Sequence, residues 1–173
     1  MQQAPPNPAR RVYTPGMRSG FLLLLLVGCS PGSPSANYLP SQSRTPGATN
    51  PAVTQENLNA TVCAAGWIKT IRPRGSYMEK LKKRQMLESK LPGTAHDYRE
   101  NHRIPLCAGG HPTDQRNLWP QPVSGEWTDK MKERLDRSVC HQLCAGDITL
   151  KEAQAIFRER DWTQVYTRYF RTK

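Results

Sequence analysis

Apolar residues along this chain change rhythm several times, and each change marks a different kind of segment. Phe21 to Val27 is an unbroken run, FLLLLLV, preceded by Arg18 and followed by Gly28 and Cys29. It is too short to span a bilayer, which takes about 20 apolar residues. A basic residue, an apolar stretch and then small residues is instead the layout of a secretion signal. From Ser30 to about Val53 the chain reads SPGSPSANYLPSQSRTPGATNPAV, with almost no apolar periodicity. Such a stretch buries too little surface to offset the entropy of ordering, so a flexible tether is expected over 30–55.

The remainder, 56–173, alternates helical and extended rhythms. A short polar turn or helix over 54–60 leads into Val62, Cys63, Trp67 and Ile68. Beyond Pro73 the spacing of Met78, Leu81 and Met86 predicts a basic amphipathic helix from Ser76 to Leu87, ended by Pro92-Gly93. Residues 96–106 suit a brief strand with Ile104 and Leu106 on one face, turning at Gly109-Gly110. Asn117-Leu118-Trp119 is a second short strand, closed by Pro120. Met131, Leu135, Val139 and Leu143 then recur at helical spacing behind Thr128, with Asp129 favourably placed in the first turn. A last helix starts at Leu150: Thr149 and Glu152 form the pattern of a capping box, and Ala153, Ile156 and Phe157 face inward. Trp162, Val165, Tyr166, Tyr169 and Phe170 make another apolar face, so the helix resumes after Asp161. These elements predict one α+β domain.

Charge narrows the choice of partner. Lys and Arg number 25 against 14 Asp and Glu, a formal +11, and the 21 basic and 13 acidic residues from position 61 onward carry +8 of it. That excess favours a polyanion: nucleic acid, an anionic membrane surface or an acidic protein.

Cysteines stand at 29, 63, 107, 140 and 144. Leu26-Val27-Gly28-Cys29 resembles a bacterial lipoprotein box, which implies a lipidated Cys29 anchoring an exported envelope or periplasmic protein. A start at Met17 gives that signal over 1–29 a more ordinary length. Four cysteines are then left for pairing. Cys140 and Cys144 lie one helical turn apart, but no CxxC knuckle precedes them, so a disulfide from Cys63 to one of the late cysteines is preferred over zinc. Cys107 reads as a small buried residue.

Chemistry concentrates in residues 98–122, YRENHRIPLCAGGHPTDQRNLWPQP. His102, Pro105-Leu106, Gly109-Gly110 and Asn117-Leu118 fall where the His-Asn-His (HNH) endonuclease group carries its motif, and this segment resembles that group. Trp119-Pro120-Gln121-Pro122 is similar to a small, often exported bacterial subgroup, and the likeness extends over most of 57–173, including TVCAAGW at 61–67. The resemblance implies a small ββα-metal core with additional flanking helices, a catalytic histidine on the first strand and a divalent cation, Mg2+ or Mn2+, with Zn2+ as the alternative.

Independently of family, phosphodiester hydrolysis needs an activated water and stabilisation of charge on the phosphoryl oxygens. A neutral His102 can take the water's proton near pH 7. Asn117 can orient the imidazole or brace the loop, and Arg99, Arg103 and Arg116 can hold phosphates. The metal is expected on Asn101, with Glu100 beside it and Glu126 as a second ligand, Asp129 and Glu133 being reserves. Two departures from the family pattern stand out. Asn101 occupies a position usually held by Asp, and the final histidine is replaced by Gly125 and Glu126. The leading expectation is a metal-dependent endonuclease acting on DNA through phosphate contacts; the alternative is an inactive HNH-like nucleic-acid-binding or envelope interaction domain.

Overall fold

Two short strands, β1 (Tyr98–His102) and β2 (Leu118–Pro122), pair antiparallel with Glu100 opposite Pro120 and His102 opposite Leu118. The structure, a computed structural model, describes residues 39–171, so the apolar run at 21–27, Cys29 and the first part of the tether lie outside it. Proline is tolerated inside β2 because of register. Val123 N donates to Asp97 O and Arg103 N to Asn117 O, so hydrogen-bonded pairs fall on odd-numbered residues and Pro120 and Pro122 occupy the intervening positions. β1 stops at His102, earlier than its alternation predicts. Ile104 and Leu106 are buried in the following turn rather than on a strand face.

Among the described residues the hairpin is accompanied by five α-helices: α1 (Trp67–Ile71), α2 (Gly75–Glu88), α3 (Asp129–Ala145), α4 (Leu150–Arg158) and α5 (Trp162–Phe170). The α+β class is therefore as the sequence predicts, with α3 following the two strands directly. Leu135, Val139 and Leu143 of α3 pack with Ala153 and Phe157 of α4 and with Trp162, Val165 and Tyr166 of α5. Trp127 meets Trp162 and Tyr166 edge-on, at 5.9 and 6.0 Å between ring centroids. The capping box at Thr149 and Glu152 forms as its spacing predicts. α2 lies against both strands and buries Leu81 and Met86.

Two disulfides tie the domain. Cys63–Cys144 matches the predicted link to a late cysteine, whereas Cys107, read as unpaired, bonds Cys140. Both fit a protein that matures in an oxidising compartment. No helix among the described residues is long and apolar enough to cross a membrane.

Over its described part, from residue 39, the stretch expected as a tether is ordered. Residues 39–53 are held against the domain: Gly47 N donates to Arg116 O, Asn50 N to Gly109 O, and His111 N to Ala48 O, while Val53 enters the core. Backbone hydrogen bonds order this stretch, and they leave no mark in apolar periodicity.

Candidate functional site

The connection between β1 and β2, residues 103–117, is shaped by one fully buried side chain. Asn117 Oδ1 accepts from Ile104 N at 2.8 Å, and its Nδ2 donates to Ile104 O at 2.9 Å and His111 O at 3.0 Å. One amide thus closes both ends of the loop. Gly110 is required beside it, because a Cβ there would come within 1.8 Å of Ile104 O. Asn117 is a brace for the loop, and no contact with the His102 ring is made through it.

This loop carries the carbonyl that fixes the histidine. His102, 8% exposed, places Nε2 3.0 Å from Pro112 O. A carbonyl only accepts, so Nε2 carries the proton and Nδ1 holds the lone pair. Nδ1 has no hydrogen-bond partner among the described residues, and His102 is one of the residues lining a cleft of about 590 Å³. Burial pushes the imidazole down to about 4, against the opposing effect of the Pro112 carbonyl; the nearby charges of Lys132, Arg72 and His111 press the same way as burial. The ring is neutral near pH 7, as a base must be.

The expected phosphate arginines are otherwise engaged. Arg103 is 1% exposed, and its guanidinium donates to the carbonyls of Thr45, Phe157, Arg158 and Glu159 and to Gln42 Oε1. It caps the end of α4 and straps the 42–45 segment, so it is a structural clamp rather than a substrate contact. Arg116 turns back on Asp114, 2.6 Å away, outside the cleft. Arg99 reaches the cleft but pairs there with the buried Asp129 at 3.0 Å.

The expected metal ligands do not converge. Asn101 donates from Nδ2 to Gln121 Oε1 at 2.6 Å and accepts His102 N on Oδ1 at 2.8 Å, which occupies both ends of the amide. Glu100 is buried two residues before His102 on the same face of β1 and lines the cleft, with neither carboxyl oxygen hydrogen-bonded among the described residues. Burial raises it to about 8, outweighing the attraction of Lys82. Glu126 is exposed and does not line the cleft. Among the described residues no group of three or more His, Cys, Asp or Glu side chains is arranged to hold a metal ion. The expectation of a divalent cation on Asn101, Glu100 and Glu126 is corrected accordingly.

Three side chains that the sequence reading passed over complete the site. Lys132, 1% exposed, donates from Nζ to Asp136 Oδ1 at 2.5 Å and to His102 O at 3.3 Å, behind the histidine. Burial lifts the Asp136 carboxyl to about 6, with Lys132 pulling it back, and Asp136 lines the cleft. The signal was present: Lys132 falls on the apolar stripe of α3 with Leu135 and Val139, and an acid sits one turn on. Arg72, between α1 and α2, also lines the cleft.

In comparison with known proteins, no family model, no curated protein and no solved structure matches the chain.

Proposed function

We propose that this domain hydrolyses phosphodiester bonds in nucleic acid, DNA in the first instance, with His102 as the general base. The observation that carries the reading is the tautomer that the Pro112 carbonyl imposes: the imidazole is neutral, fixed in orientation and has its lone pair on Nδ1, and His102 lines an open cleft. A water lodged there can lose its proton to Nδ1 as its oxygen bonds to phosphorus, while one ester P–O bond breaks and the departing sugar oxygen is protonated from solvent. Asn117 holds the loop that presents Pro112 O, and Lys132 fixes the His102 backbone from behind. The HNH resemblance of residues 98–122 and the order β1, β2, α3 support the same reading, as does the net charge of +11. The signal-like run, Cys29 and the disulfides favour a place in the cell envelope, tethered by lipid.

The test is nicking of supercoiled plasmid, in buffers with EDTA and with Mg2+, by the wild-type chain and His102→Ala. Wild type nicks, and the variant falls by about 100-fold or more, as loss of a general base does. The pH profile of the wild-type rate keeps its acid limb below pH 6, because the native imidazole protonates only near 4. Equal nicking by both proteins overturns the reading. Binding of DNA without nicking establishes the alternative, a domain that holds nucleic acid but does not cut it.

A further inference from the structure

The charges lining the cleft are almost all used up within it. Asp129 pairs with Arg99, Glu133 with Arg137, Asp136 with Lys132, and Glu79 with Lys82. Glu100, the remaining acid of the wall, is kept protonated by burial at neutral pH. One cation of the wall is left over. Arg72 has no ion-pair or hydrogen-bond partner among the described residues, although five acids line the same cleft. Its backbone is extended (φ −64°, ψ 129°), as a residue preceding proline must be, and Pro73 fixes the short bend from which its side chain leaves. Arg72 and His102 line the same cleft.

We propose that Arg72 is the phosphate anchor of this cleft, its guanidinium holding the non-bridging oxygens of a nucleic-acid phosphodiester beside His102. The proposal rests on the hydrolase reading for its chemistry, but anion binding by Arg72 is separately measurable. A planar fork of donors matches two phosphoryl oxygens, and an unpaired guanidinium gives up no internal ion pair when it binds them. It thus takes over the role that Arg99, Arg103 and Arg116 cannot fill while they are engaged elsewhere.

The purified chain is compared with Arg72→Ala, Arg72→Lys and, as a control, Lys130→Ala, an exposed cation of α3 outside the cleft. The probe is a short fluorescein-labelled single-stranded oligodeoxynucleotide, read by anisotropy over a range of salt, with plasmid nicking in parallel. Arg72→Ala weakens binding about tenfold and lowers the slope of log affinity against log salt by ~0.7, one phosphate's worth. Arg72→Lys recovers part of the affinity, and Lys130→Ala stays within about twofold of wild type. Nicking by Arg72→Ala falls at least in proportion to binding. An Arg72→Ala variant with wild-type Tm whose affinity and salt slope match those of Lys130→Ala overturns the proposal. So does a wild-type chain that fails to bind the probe. A chain that binds the probe without nicking plasmid defeats the hydrolase reading alone, and the anisotropy series still decides on Arg72.

Discussion

Glu100 is a costly side chain, since two buried carboxyl oxygens go without a hydrogen bond. The cost is reduced by keeping the proton: the native group is raised from 4.5 to about 8. Between those values the native state binds a proton that the unfolded chain does not, so this contribution is fully present below about pH 4.5 and is lost as pH rises through 8. His102 acts oppositely, since its native value of about 4 lies below the unfolded 6.5, and its contribution is present above 6.5 and lost on acidification. Above pH 6.5 the Glu100 effect is no longer offset by His102. Stability measured by urea unfolding is expected to fall by about 2 kcal/mol between pH 6.5 and 8. Glu100→Met, which fits an unbranched apolar chain into the same space, should flatten that fall and raise stability at pH 8; an unchanged slope would show that some other group titrates. That His102 and Asn117 stand at the two ends of one hairpin loop was legible in the sequence, because the Gly109-Gly110 turn falls between two short extended runs. The roles of Arg99, Arg103 and Arg116 were not, because Asp129, the end of α4 and Asp114 reach them only through the folded backbone or a local turn that residue type does not reveal.

At the scale of elements, legibility followed the length and regularity of the apolar stripe. α2, α3 and α4 stand where their periodicity predicts, within a residue or two. α1 was missed: five residues carry too little pattern, and it opens at Gly66 without a side-chain cap. β1 came out shorter than its alternation because Asn117 captures the backbone at Ile104 and turns the chain. α4 shows a local signal honoured in full. Thr149 Oγ1 accepts from Glu152 N at 3.2 Å, and Glu152 Oε2 accepts from Thr149 N at 2.7 Å. The Glu152 carboxyl is held below its usual range by the Thr149 backbone N–H and then by its hydroxyl. Thr149→Ala is expected to cost about 1 kcal/mol in urea unfolding, with nicking unchanged, since the cap lies outside the cleft. A loss of activity without a loss of stability would place α4 in the site after all.

Across the whole molecule, α3 is the element that both disulfides share. Its Cys140 and Cys144 lie one turn apart and reach different parts of the chain: Cys144 holds Cys63, 81 residues away, and Cys140 holds Cys107, 33 residues away. Sequence spacing exposed the first link but not the second, because Cys107 comes to α3 only once Asn117 and Gly110 have folded the hairpin loop. The chain-entropy account gives these two loops nearly the same worth, about 4 kcal/mol each, since the dependence on loop length is logarithmic. Their positions differ more than their energies. Cys107 lines the cleft, in the turn that follows Pro105, and Cys140 sits on the helix that supplies Asp129, Glu133 and Asp136 to the same cleft. The second disulfide therefore fastens one wall of the site to the other, whereas Cys63–Cys144 fastens the start of the domain to the far end of α3. Replacing Cys63 and Cys144 by Ser should lower stability in urea by about 4 kcal/mol and leave nicking by the folded fraction unchanged. Replacing Cys107 and Cys140 by Ser should lower stability by a similar amount and also reduce nicking under conditions where the variant is folded by circular dichroism. Equal activity in the two double variants would mean that Asn117 alone sets the geometry of the loop, and that the disulfide beside the cleft stabilises the domain without shaping its site.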